Sequence, residues 1–279
     1  MSRIEEALKK ASQARKEGAS KAEEQTASPL AASSMPRSQV SQEILDRVRD
    51  QHMLVSMNDM CSPAAEEFRK LKQSLVRMTK KENFQNTILI TSGTSGEGKS
   101  VTSTNLAISL AQEFDHTVLL IDADLRRPSC HELLCLENTY GLSDCLLEGR
   151  DVSQGMIKTG IGKLTFLPAG SPMANPAELL ASKRMELVLK EMKSRYSDRY
   201  IIIDSPPVLP FAETRTLSRL VDMTILVIQD GRLSKYELRE TLEALSGAHV
   251  AGAVYTQASS SSSKSRYSGY GHYGNYYGY

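Results

Sequence analysis

The chain has little that would staple it, anchor it in lipid or give it a one-signed field. Its four cysteines, Cys61, Cys130, Cys135 and Cys145, include no C-x-x-C pair and lack the histidine spacing of a zinc site. They read as reduced thiols in a reducing compartment. No run of ~18 apolar residues occurs anywhere, which excludes a spanning helix. The N-terminal MSRIEEALKKASQARKEG is charged from its third residue and has no apolar core of signal-peptide length. A cytoplasmic protein is expected, one that meets the inner membrane only by recruitment through a partner. Lysine and arginine total 34 against 33 acids, and a net charge of +1 gives no global field to hold nucleic acid or an anionic membrane. No nucleic-acid partner is expected, and any phosphate binding must be local.

What is present is ordered along the chain. Ser2-Arg3-Ile4-Glu5 has the form of a capping box, and Ile4, Ala7, Leu8 and Ala11 follow at helical spacing, so residues 1–17 are expected to form an amphipathic helix suited to docking on a partner. From Gly18 to Val40 no apolar period survives, and a linker is expected over 18–61. Ser62 as cap and Pro63 as first helical residue then open a helix with Phe68, Leu71, Leu75 and Met78 on one face.

Between Thr87 and Thr256 short β-branched runs alternate with helical stretches. The runs cover 87–91, 117–121, 164–167, 200–203, 223–228 and 250–255, and most lack a polar alternate position. Such strands are buried on both faces, so the fold expected over 62–257 is an open, doubly wound, mostly parallel α/β sheet. Beyond it, residues 258–279 hold six of the eleven tyrosines and no aliphatic residue after Ala258, which is the composition of a disordered tail.

Gly93-Thr94-Ser95-Gly96-Glu97-Gly98-Lys99-Ser100 fits G-x-x-x-x-G-K-[ST], follows the strand ILIT and leads through Val101 into a helix. Its glycines let backbone N–H groups curl around phosphates, and the helix aims the positive end of its dipole at them. Lys99 is expected at the β- and γ-phosphates of ATP, and the Ser100 hydroxyl on Mg²⁺. Two more strands end in acids: VLLI runs into Asp122-Ala123-Asp124, and YIII runs into Asp204-Ser205-Pro206-Pro207. In a parallel sheet those ends border the ligand crevice.

GTSGEGKS, LLIDADLRRP, IIIDSPP and the tyrosine-rich tail, in that order, resemble the bacterial tyrosine kinase family of exopolysaccharide systems. The likeness runs from about Ser62 to the C-terminus and includes GLSDCLLEG and LPAGSPMANPAELLAS, while MSRIEEALKKA is similar to the start of the stand-alone kinases of exosortase-linked polysaccharide loci. The resemblance implies a P-loop NTPase domain of the ParA/MinD-like fold that transfers phosphate from Mg-ATP to tyrosine. It implies Lys99 and Ser100 at ATP and Mg²⁺, Asp204 supporting the metal, Asp122 as base toward the tyrosine hydroxyl and Asp124 behind the metal's water shell. The phosphoacceptors would be Tyr267, Tyr270, Tyr273, Tyr276, Tyr277 and Tyr279, presented by the chain's own tail within a homo-oligomer. Implied partners are a separate inner-membrane chain-length protein of the Wzz-like kind and a tyrosine phosphatase.

Two positions depart from the family pattern. Its oligomerisation helix commonly reads E-x-x-R-x-x-R, where Glu66, Arg69 and Lys72 give E-x-x-R-x-x-K, and lysine lacks the planar fork of arginine. The last strand ends in Thr256 where relatives often carry an Asn near adenine. Two other functions share this pattern of motifs. A ParA/MinD-like positioning ATPase usually has a signature lysine where this chain has Thr94, and has no reason to end in six tyrosines. A nucleotide-sensing regulator of polysaccharide assembly would use the tail for adhesion without phosphorylation.

Overall fold

The structure, a computed structural model, describes residues 40–80, 84–173 and 175–258. The expected helix over 1–17 and the acceptor tyrosines of the tail lie outside those residues.

Seven strands form one sheet. In chain order they are β1 (Thr87–Ser92), β2 (Thr117–Asp122), β3 (Ile157–Lys158), β4 (Leu164–Leu167), β5 (Arg199–Asp204), β6 (Met223–Gln229) and β7 (Val250–Thr256). Their spatial order is β3-β4-β2-β5-β1-β6-β7. Every pairing is parallel except that of β3 with β4. The six strands expected from β-branched runs are all present. The seventh, β3, is two residues long, Ile157 opposite Phe166 and Lys158 opposite Thr165, too short to carry a period in the sequence.

The buried strands explain their own composition. Ile88, Ile90, Val118, Leu120, Tyr200 and Ile202 join the apolar cluster on one face. Their neighbours Leu89, Leu119, Ile121, Ile201 and Ile203 join the cluster on the other. Consecutive side chains leave a strand on opposite sides, so a strand covered on both faces needs an aliphatic residue at every position.

Among the described residues three helices precede the sheet: α1 (Gln42–Arg49), α2 (Val55–Asn58) and α3 (Pro63–Thr79). Ser62 caps α3 as expected, its hydroxyl accepting from Ala65 N at 3.1 Å. The first two helices correct the linker expected over 18–61, nearly half of which, from Gln42 on, is folded. Val48 and Leu54 are buried in the same cluster as β1 and β2. Asn105, on the helix α4 (Lys99–Ala111) that follows the phosphate loop, fixes that segment. Its Oδ1 accepts from Ser56 N at 2.9 Å and its Nδ2 donates to Met53 O at 2.8 Å. Ile44, Leu45 and Val48 fit one helical face, but a helix of eight residues is marginal without such tertiary contacts, so its sequence signal is weak.

Candidate functional site

Register sets the site. β5 lies between β1 and β2, with Asp122 and Asp204 as Cα partners and Ile90 of β1 opposite Asp204 from the other side. The loop after β1 and the acidic ends of β2 and β5 therefore emerge together at the carboxyl edge of the sheet. A cleft of about 420 Å³ opens there, lined by Ser95, Gly96, Gly98, Lys99, Ser100, Val101, Asp124, Arg127, Ser129 and Gln257.

The loop over 93–100 takes its shape from one acid. Glu97 is buried, and its Oε1 accepts from Thr94 N at 2.6 Å and from Thr94 Oγ1 at 3.0 Å. Its Oε2 accepts from Gln229 N at 3.3 Å, and its backbone carbonyl accepts from Thr256 Oγ1 at 2.8 Å. Thr94 and Glu97 thus hold the loop closed on itself, and β6 and β7 hold it to the sheet. Gly98 adopts φ 92°, where a side chain is strained, and hands the chain directly to the first turn of α4.

Beneath the cleft three carboxylates meet Lys99 and Ser100. Ser100 Oγ donates to Asp204 Oδ2 at 2.6 Å, while Asp204 Oδ1 is buried without a hydrogen-bond partner. Lys99 Nζ lies 3.8 Å from Asp124 Oδ2. Asp124 also accepts from Arg127 N at 3.1 Å. Asp122 is fully buried and saturated: Oδ1 accepts from Asp124 N at 3.2 Å, and Oδ2 from Ser129 N at 3.0 Å and Cys130 N at 3.1 Å. Sequence reasoning placed Asp122 and Asp124 together. The structure separates them, with Asp124 on the cleft wall and Asp122 under it, pinning the turn that returns the chain from β2.

Charge crowding follows from this burial. Asp204 is pushed up to about 6 by burial, with Lys99 and Ser100 pulling against the shift and Asp124 adding to it. Asp122 rises well above the carboxylate range through burial and then the charge of Asp204. Asp124 is raised by burial and restrained by Lys99. The donor set suits a hard divalent cation: it is rich in oxygen, short of positive charge, and includes a buried carboxylate oxygen that nothing else satisfies.

Several residues at the site carried no local sign of it. Gln257, at φ 51°, lines the cleft and accepts from Gln229 Nε2 at 2.8 Å. Arg232 lies beside the loop, its guanidinium 3.0 Å from where a Cβ on Gly96 would stand. The Cys130 thiol donates to Asp204 Oδ2 at 3.5 Å. Thr256 does not face the cleft as a base contact in place of Asn; its hydroxyl is spent on Glu97.

Glu66, Arg69 and Lys72 lie apart from this site on α3. Arg69 Nε donates to Glu66 at 2.7 Å, and Lys72 Nζ pairs with Glu113 at 3.0 Å. All three already have partners within the chain.

A phosphate loop leading from a central parallel strand into a helix, with acids at the two neighbouring strand ends, defines a P-loop nucleotide-binding domain. Residues 85–249 match the AAA domain family. Over 198 residues the chain is 35% identical to tyrosine-protein kinase YwqD of Bacillus subtilis, covering 71% of this chain and 82% of that one. It is 32% identical over 202 residues to tyrosine-protein kinase etk of Escherichia coli K12, covering 72% of this chain and 27% of that longer protein. Among solved structures, the kinase domain of Escherichia coli ETK superposes with a TM-score of 0.67 at 30% identity, covering 74% of this chain and 82% of the domain. The chimeric protein CapA2B2 gives a TM-score of 0.67 at 29% identity, over 73% of this chain and 88% of the chimera. The chain belongs to the bacterial tyrosine-protein kinase family. Its activity is transfer of phosphate to protein tyrosine. Among the described residues, no helix is long and apolar enough to cross a membrane.

Proposed function

We propose that this kinase uses Mg-ATP to phosphorylate the tyrosines of its own C-terminal segment 258–279, in the cytoplasm, and so regulates exopolysaccharide synthesis or export. The observation that carries the reading is the Ser100–Asp204 pair under the cleft, with a buried Asp204 oxygen left over for a cation. Ser100 and Asp204 would hold Mg²⁺, which would supply neutralising positive charge beside the transferring phosphoryl group. Backbone N–H groups of 95–101 and the Lys99 ammonium receive the phosphates. Asp124, on the cleft wall, accepts the tyrosine hydroxyl proton, and Asp122 positions Asp124 by holding its backbone N–H and the returning turn. In this reading Asp124 is the base and Asp122 its support, because Asp124 lines the cleft that a tyrosine would enter.

The acceptors in this reading are Tyr267, Tyr270, Tyr273, Tyr276, Tyr277 and Tyr279. Glu66, Arg69 and Lys72 join neighbouring subunits by exchanging their present partners within the chain for partners across an interface. A separate inner-membrane chain-length protein recruits and activates the kinase, with the helix over 1–17 as its contact, and a tyrosine phosphatase resets the tail. The test is incubation of the full chain with Mg-ATP and mass-spectrometric mapping of phosphotyrosine. Label on 267–279 that vanishes in Lys99→Met is expected. Phosphotyrosine only on other proteins, or none on the tail even with the activating partner present, refutes self-phosphorylation and leaves the tail an adhesive segment.

A further inference from the structure

The Cys130 thiol has no part in a site built for a hard cation. It is fully buried beside the carboxylates of the cleft floor, and one ligating atom each from Asp122, Cys130 and Asp204 lie within 4.8 Å of one another. A second feature belongs to the same carboxylate: Asp204 Oδ1 is buried with no hydrogen-bond partner. Magnesium takes oxygen ligands in a near-octahedral shell and gains nothing from sulfur. A thiolate and a carboxylate side by side instead suit zinc, which accepts sulfur and oxygen ligands together. A tetrahedral ion with sulfur at about 2.3 Å and oxygen at about 2.0 Å sets those two atoms roughly 3.5 Å apart. Cys130 Sγ and Asp204 Oδ2 are 3.5 Å apart.

We propose that Cys130 and Asp204, beside Asp122, form a binding site for a thiophilic divalent cation of the zinc class, overlapping the magnesium position, through which such a cation shuts the kinase off. Soft thiolate selects zinc over magnesium. The thiol proton passes to solvent as the cation enters, and the ion's charge relieves the crowding of the carboxylates. Ser100, Asp124 and Ser129 line the cleft and are each hydrogen-bonded to one of the two buried carboxylates, so the cleft is the side from which a cation would enter. Inhibition follows because Asp204 cannot serve both cations. The inhibitory part rests on the assignment of Asp204 to magnesium made above; the binding part does not.

The test titrates the reduced, metal-free full chain with Cd²⁺, a thiophilic probe, and records sulfur-to-cadmium charge-transfer absorbance. The band should survive Cys61→Ser and Cys135→Ser and vanish in Cys130→Ser, and Zn²⁺ should displace Cd²⁺ from it. Loss of the sulfur ligand should weaken Zn²⁺ by more than the roughly 10–100-fold that follows loss of an outer-shell partner. Asp204→Asn keeps the thiol and should weaken the band's affinity similarly, so a Cys130→Ser chain that fails to fold does not remove the test. A band that persists in Cys130→Ser, or that Asp204→Asn leaves at full affinity, overturns the site. A large excess of Mg²⁺ should depress the band; a band indifferent to Mg²⁺ overturns the overlap while leaving the thiophilic site and the kinase activity standing.

Discussion

Asp122 and Asp204 end neighbouring strands at the same register, both fully buried, yet one is saturated and the other is not. Asp122 spends its two oxygens on three backbone N–H groups. Asp204 accepts from the Ser100 hydroxyl and the Cys130 thiol on one oxygen and keeps the other bare. A carboxylate saturated by backbone amides holds the chain in place. One that is buried and half satisfied costs stability until something arrives, which is the condition of a ligand site. Identical residues one strand apart thus divide structure from chemistry.

Substitution should separate the two. Asp204→Asn, like Lys99→Met, is expected to reduce tyrosine phosphorylation by at least about a thousandfold, since each removes charge from the phosphate and cation positions. Asp204→Asn should at the same time leave the metal-free melting temperature unchanged or raised, because a buried, repelled charge is gone. Substantial phosphotyrosine in either variant, measured after removal of copurifying kinases, would sink the assignment. Asp124→Asn is the intermediate case: about a hundredfold slower transfer with nucleotide affinity nearly unchanged, read by single-turnover kinetics against equilibrium binding. Equal loss of both would make Asp124 a metal-holding group instead of the base.

Asp122→Asn should act first on folding. An amide nitrogen turned toward one of three N–H donors leaves that donor unpaired, at a cost of about 1–3 kcal/mol in urea denaturation. Unchanged stability with abolished transfer would return Asp122 to the role of base.

The smallest effect is on pH dependence. Asp204 binds its proton more tightly folded, at about 6, than at its ordinary value of 3.8. Its protonation therefore stabilises the metal-free fold fully below the ordinary value, and that contribution is lost as pH rises toward about 6. The melting temperature of the native chain minus that of Asp204→Asn should fall across this window. A flat or rising difference would show that the crowding is absent in solution.

Much of this comparison was readable from sequence in outline only. GTSGEGKS after ILIT and the acids after VLLI and YIII place the site because each motif abuts its own strand. Burial on both faces made the strands near-continuous aliphatic runs, which is why six were visible and the two-residue β3 was not. The contacts of Glu97 with Gln229 and Thr256 span more than a hundred positions and have no local signature. Nor could spacing tell saturated Asp122 from half-bare Asp204, since the donors to Asp122 come from a turn whose path the sequence does not declare. The helices at 42–58 escaped for a related reason: Asn105 and the core complete them from afar.

Thr256 and Gln257 act as a hinge post at the mouth of the cleft: the first is bonded to the phosphate loop and the second forms part of the wall. The segment after them therefore begins at the rim of the active site. Tyr267 is ten residues past Gln257, a span of at most about 33–36 Å. Chain length thus caps the reach of each tyrosine, and dilution separates the two sources of label: the share a neighbouring chain supplies to Tyr267 should fall with it, and any share from the chain's own cleft should not.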